Sequence, residues 1–241
     1  MSLAQNLALI RQQIADACRR AGRSEAEVAL MAVSKMHPVE AVAEAYAAGL
    51  RLFGENRVQE WQLKLPSLQH LFTGTPDAAH MHLIGPLQSN KANRAAELFD
   101  AIDSVDSLRI ATRLNAATRV LNRKLPILIE VKLSHEQSKH GISPSELPAL
   151  LAALAPLESL IPAGLMTVPP WSEDPEPARP YFRELRRLRD ASLATCPALT
   201  QLSMGMSNDF AVAIEEGSSC VRIGTALFGG RLYPAAEPNH P

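Results

Sequence analysis

The stretch Ala29-Leu30-Met31-Ala32-Val33-Ser34-Lys35-Met36-His37-Pro38 decides the architecture of the chain. Its first five residues form an unbroken apolar run of strand length, closed by Ser34, the mark of a strand covered on both faces, as in a parallel sheet. A helical segment over 38–48 follows at once and ends at Gly49, so a short turn carrying Lys35 joins strand to helix. No glycine-rich strand-to-helix turn stands there, where an open dinucleotide-binding sheet would place its fingerprint. A closed barrel is therefore preferred to a doubly wound sheet.

The same unit recurs along the chain. Strands are predicted over 29–34, 51–54, 81–85, 101–105, 126–133, 162–168, 200–204 and 221–225, with helical segments between them. An amphipathic helix over 2–21 precedes them, and a helix over 145–155 is opened by Ser143-Pro144 and stopped by Pro156. Eight β/α units in 241 residues fit a single (β/α)8 TIM-type barrel. With 46% hydrophobic and 20% charged residues, one large core accounts for the length. The expected organisation is one domain over 1–233, followed by a disordered tail over 234–241, which contains three prolines.

Charge and cysteine content narrow the function classes. A net charge of −1, without a basic face or polybasic tail, argues against nucleic acid and anionic membrane as partners and for a small molecule. No segment reaches the roughly 18 uncharged apolar residues of a membrane span, so a soluble, unprocessed protein is expected. Cys18, Cys196 and Cys220 are odd in number and far apart, which offers neither a disulfide framework nor metal-ligand spacing and points to the cytoplasm.

Barrels place chemistry where strands end. The strand ends here offer Lys35, Glu55-Asn56, Gln88, Ser104, Lys132, Met166-Thr167, Ser203 and Arg222 to Thr225. A lysine desolvated among apolar neighbours supplies the neutral amine that imine formation requires. Ser203-Met204-Gly205-Met206-Ser207 and Gly224-Thr225 follow the last two strands, where barrels gather backbone N–H groups around a phosphate. Taken singly, the lysine reads as a solvated charge and the serines as helix caps; the pairing of imine-forming amine and phosphate cup suggests pyridoxal phosphate. Asn56 and Ser89 or Asn90 are expected as helix N-caps, with a ring contact as the alternative for Asn56. His80 and His82 alternate on one face, and without a third ligand His82 reads as a hydrogen-bonded barrel residue, not a metal ligand. The proline-rich loop over 169–177 is expected at the same face, as a lid or a plain connection.

Seven segments in order carry a resemblance: Val33-Ser34-Lys35, Phe53-Gly54-Glu55-Asn56, His82 to Lys91, Ser138-Lys139-His140-Gly141, Gly164-Leu165-Met166, Leu202 to Ser207 and Val221-Arg222-Ile223-Gly224-Thr225. Together they resemble the YggS/PROSC family of pyridoxal phosphate homeostasis proteins. The resemblance implies a barrel like the N-terminal domain of alanine racemase, with pyridoxal 5'-phosphate held as an aldimine on Lys35. It further implies Ser203, Gly224 and Thr225 at the phosphate, Arg222 at the pyridine nitrogen, Asn56 beside the ring, and Met166 and Met204 among the cofactor-binding residues. The implied function is intracellular cofactor homeostasis without catalysis, by buffering pyridoxal phosphate or delivering it to apo enzymes that depend on it. A weak amino-acid racemase is the alternative, but the second domain that would supply its missing acid is not expected in a chain of this length. Met36 stands where the family commonly has threonine and Lys132 where it commonly has asparagine. Lys132 is therefore a second amine that could compete for the aldehyde; Lys139, in Ser138-Lys139-His140-Gly141, is another possible imine site, with a solvated loop lysine as its preferred reading.

Overall fold

The computed structural model describes residues 1–134 and 140–230. Eight parallel strands close in sequence order into a barrel: β1 Ala29–Val33, β2 Leu52–Glu55, β3 His80–Leu83, β4 Ala101–Val105, β5 Leu125–Glu130, β6 Leu160–Met166, β7 Gln201–Ser203 and β8 Cys220–Ile223. The ring closes where β1 pairs with β8, with Leu30 opposite Val221 and Met31 opposite Arg222. The helices are α1 Leu3–Ala21, α2 Val39–Ala47, α3 Val58–Phe72, α4 Ala92–Leu98, α5 Leu108–Val120, α6 Leu147–Leu154, α7 Arg179–Ser192, α8 Phe210–Glu215 and α9 Thr225–Phe228.

The strand residues sort into two sets because successive side chains point to opposite faces. Ala32, Phe53, Leu83, Ile102, Ile127, Leu165, Leu202 and Val221 join the continuous core shared with the helices. Met31, Leu128, Met166, Cys220 and Arg222 are buried but stand outside that core, on the barrel interior. Each large apolar side chain buried in the shell contributes about 1.5–3 kcal/mol.

The α1 helix starts at a capping box, in which the Gln5 N–H donates to Ser2 Oγ at 3.3 Å and the Ser2 N–H to Gln5 Oε1 at 2.9 Å. Its buried residues Leu3, Leu7, Ile10, Ile14, Ala17 and Cys18 recur at helical spacing along one face. That face packs on α8 and α9, and Asn6 Nδ2 donates to the Leu227 carbonyl at 2.9 Å.

The expected strands all occur, and the largest difference is at the end of β5. Sequence predicts it through residue 133, yet beyond Glu130 only an isolated bridge, Val131 with Ile142, remains. The chain after residue 139 folds back and takes the hydrogen bonds: Lys132 N–H to Ile142 O at 2.8 Å, and Ile142 N–H to Glu130 O at 2.9 Å. Gly141 permits this, since its φ is +111° and a Cβ there would stand 2.8 Å from Lys132 N and 2.9 Å from Glu130 O. The helix expected over 145–155 divides into a 3-10 turn, Pro144–Glu146, and α6. The tail over 234–241 and Lys139 lie outside the described residues.

Candidate functional site

At the C-terminal ends of the strands the barrel opens into two joined lobes. The larger, about 630 Å³, is lined by Lys35, Trp171, Ser207, Arg222, Gly224 and Thr225 among others. The smaller, about 260 Å³, is lined by Asn56, Glu130, Lys132, Ser134 and His140, and shares Lys35, Ile84, Met206 and Arg222 with the larger. Lys35 and Arg222 therefore stand at the junction.

Lys35 owes its position to the two residues beside it. Ser34 points away from the mouth and donates through Oγ to Glu55 Oε1 at 2.7 Å. The His37 N–H reaches Ser34 O at 3.1 Å, closing a turn with Lys35 and Met36 at its corners. Met36 has φ +62°, a left-handed conformation that costs a side-chain-bearing residue about 1–2 kcal/mol. A buried ion cluster holds it there. The Met36 N–H donates to Glu60 Oε1 at 2.5 Å, and Lys64 Nζ donates to Glu60 Oε1 at 2.7 Å, Glu55 Oε1 at 2.8 Å and Ser34 O at 3.0 Å. Burial pushes the Glu55 carboxyl above its usual range, and the neighbouring Lys64 offsets part of that shift.

Arg222, on β8, is 4% exposed and forms the floor of the mouth. Its guanidinium donates to Ser203 Oγ at 2.8 Å and to Thr167 O at 2.9 Å, which spans β8, β7 and the end of β6. Burial draws its pKa below the usual arginine value, opposed by the nearby Cys220, Asp103, Glu130 and Asp209. Glu130 is equally confined. Desolvation raises its carboxyl from 4.5 to about 7, against the pull of Arg222. His82 and Asp103 pair inside the barrel at 3.0 Å, Nδ1 to Oδ1, as a hydrogen-bonded couple. Among the described residues no cluster has the ligands for a metal ion. Cys220 is no nucleophile, because burial pushes its thiol up to about 12.

The rim opposite Lys35 is built by the turns after β7 and β8. Ser207 Oγ accepts the Ala226 N–H at 3.2 Å, joining the two turns. Asn208 Nδ2 donates to Ser172 O at 2.8 Å and Glu173 O at 3.2 Å, which fixes the loop after β6 over the larger lobe. Trp171, on that loop, is 77% exposed although it lines the lobe.

Of the residues singled out from sequence, Lys35, Asn56, Arg222, Gly224 and Thr225 meet at the mouth. Ser203 lies beneath them, bound to Arg222. Met166 is fully buried on β6, opposite Ser203 and Glu130 in register. Met204 packs in the apolar shell and lines neither lobe. The expected caps at Asn56, Ser89 and Asn90 are absent: Arg57 and Gln88 hold those positions without side-chain caps. Asn56 is instead pinned through its backbone, since a Cβ on Gly85 would stand 2.3 Å from its carbonyl oxygen. Glu130 and Ser134 were not singled out. Their only signal was two-residue alternation with Lys132, continued past the end of β5.

A parallel (β/α)8 barrel that collects a lysine amine, a buried arginine and glycine-bearing turns at one mouth is a small-molecule-binding barrel. The family model described as alanine racemase, N-terminal domain, matches residues 5–232. The pyridoxal phosphate homeostasis protein of Escherichia coli K12 is 44% identical over 238 residues, covering 96% of this chain and 97% of the relative. PipY of Synechococcus elongatus PCC7942, solved without PLP and with PLP bound, is 40% identical and superposes with TM-scores of 0.84 and 0.83, covering 95% of this chain and all of PipY. Alanine racemase of Clostridium difficile 630 with cycloserine shares the fold alone, at 15% identity and a TM-score of 0.72 over 97% of this chain and 60% of its own. The chain belongs to the alanine racemase N-terminal domain family, and within it to the pyridoxal phosphate homeostasis proteins.

Proposed function

We propose that this protein binds pyridoxal 5'-phosphate on Lys35 and keeps it in reversible, non-catalytic storage for delivery to apo enzymes that use it. Lys35, Arg222 and the joined turns after β7 and β8 around one mouth are the observation that carries this reading. The cofactor supplies an aldehyde, which a primary amine captures reversibly. Lys35 is the amine. Gly224, Thr225 and Ser207 offer hydroxyls and backbone donors suited to the phosphate, with Ser203 positioned beneath through Arg222. The fit is chemical as well as spatial: two cationic residues and an anion-accepting rim suit a phosphorylated aldehyde.

Arg222 also supports storage over catalysis. A guanidinium does not readily surrender a proton, so a pyridine nitrogen facing it stays unprotonated and the ring remains a weak electron sink. Asn56 is assigned to the ring edge and Met166 to the interior wall. Residues 1–233 are taken to act as one domain. The cytoplasm is the proposed compartment, supported by three free cysteines and by the absence, among the described residues, of a helix long and apolar enough to cross a membrane.

The test is spectroscopic. Purified protein supplied with pyridoxal phosphate should show a visible band that gel filtration retains, and Lys35→Ala should abolish it or leave loosely held cofactor. No retained band in the folded wild type would refute the reading. Fast exchange of the α-proton of L-alanine in deuterated water would refute its non-catalytic part.

A further inference from the structure

The two tryptophans of the chain have opposite surroundings. Trp61 is 1% exposed, packs edge-on against Phe72 and donates its indole N–H to Leu98 O at 3.0 Å. Trp171 is 77% exposed and enters none of the ring–ring contacts found among the described residues, yet it borders the larger lobe together with Lys35, Ser207 and Thr225. An exposed indole at the rim of a cavity has much to gain from a flat aromatic ligand, through burial and through stacking.

The loop that carries Trp171 is built to hold it there. It leaves β6 at Thr167, which is fully buried, donates through Oγ to Val131 O at 2.8 Å and accepts Arg222 through its carbonyl. Pro169 and Pro170 stiffen the approach to Trp171. Behind it, Asn208 latches the chain by donating to Ser172 O and Glu173 O, and Asn208 directly follows Ser207, whose Oγ joins the turns after β7 and β8. The backbone is thus tied on both sides of Trp171 to the floor and rim of the lobe, while the exposed side chain keeps its freedom to rotate.

We propose that Trp171 is the retention residue of the cofactor site: its indole turns over bound pyridoxal phosphate and sets the rate at which the cofactor leaves, with Asn208 latching the loop that carries it. This rests on the proposed function. At about 630 Å³ the lobe has about twice the ~300 Å³ at which small-molecule pockets begin, which leaves room for an indole above a ligand. A cover that is a side chain, and not a moving loop, suits a store, because its open rotamer admits the cofactor and only escape is slowed.

Exchange of bound cofactor for tritium-labelled pyridoxal phosphate, with association rates taken from growth of the visible band, tests the inference. Trp171→Ala should exchange about tenfold faster with its association rate unchanged, and Trp171→Phe, which keeps a ring, should recover most of the difference. Asn208→Ala should exchange roughly three- to tenfold faster. In the full chain carrying 5-fluorotryptophan, the fluorine resonance missing from Trp171→Phe is that of Trp171. Its shift between H2O and D2O, which reports exposure, should be large in the cofactor-free protein and fall toward that of Trp61 once the band has formed, a readout independent of any variant's rates. Equal exchange in the wild type and Trp171→Ala, or a Trp171 resonance as exposed with cofactor as without it, would overturn the inference and leave the proposed function standing. Failure of the folded wild type to retain any band would refute the proposed function and this inference with it.

Discussion

Glu130→Gln should make the cofactor-free protein more stable at alkaline pH, by an amount that the burial of this carboxyl sets. The group has an ordinary value of 4.5 and reaches about 7 when folded. Between those values the folded chain binds more protons than the unfolded chain, so stability falls as pH rises through this window and levels off above it. At about 1.4 kcal/mol for each pH unit, the ionised folded state is penalised by about 3 kcal/mol at pH 8. Glutamine keeps the shape and removes the titration. Any cost of burying its amide is independent of pH. His82 also has a raised folded value, through Asp103, and its contribution is lost as pH rises through that value, but this is common to both proteins and cancels. Urea melts at pH 5, 6, 7 and 8 should therefore give a difference, variant minus wild type, that grows steadily with pH toward the ~3 kcal/mol limit. A difference independent of pH would refute the reasoning and place Glu130 in a solvated or paired environment.

Two further substitutions probe the frame around the mouth. Lys64→Met removes the cation shared by Glu55, Glu60 and Ser34 O and leaves Glu55 buried without its ion partner. The expected loss is about 3–5 kcal/mol in urea melts, with weaker pyridoxal phosphate retention as the turn at Met36 loosens; a loss under about 1 kcal/mol would show that the cluster is solvated. Gly85→Ala must push its Cβ from 2.3 Å off the Asn56 carbonyl, at a cost of about 1–3 kcal/mol. Its cofactor retention should fall with stability, and unchanged values for both would remove Asn56 from the site.

The barrel was legible because each β/α unit repeats one apolar run and one helical segment, and because a continuous apolar strand such as 29–33 has no other way to bury both faces. Lys35, Asn56, Arg222, Gly224 and Thr225 were legible for a related reason: strand ends in a barrel converge whatever their separation in sequence. Other features depend on local competition for hydrogen bonds. The early end of β5 arises because Gly141 lets a later segment capture Glu130 O and Lys132 N–H, and no periodicity reports that. Asn56 looked like a cap because its type favours caps, but close packing under Gly85 governs its backbone. Glu130 went unnoticed because an acidic residue within an apolar strand declares its environment only when the neighbouring strands are in place.

Borohydride reduction of the protein loaded with pyridoxal phosphate, followed by peptide mapping, puts the central assignment to its most direct test. The account predicts a phosphopyridoxyl label on the peptide carrying Lys35. A label carried chiefly by Lys132 or Lys139, or no label on protein that remains folded, would contradict it.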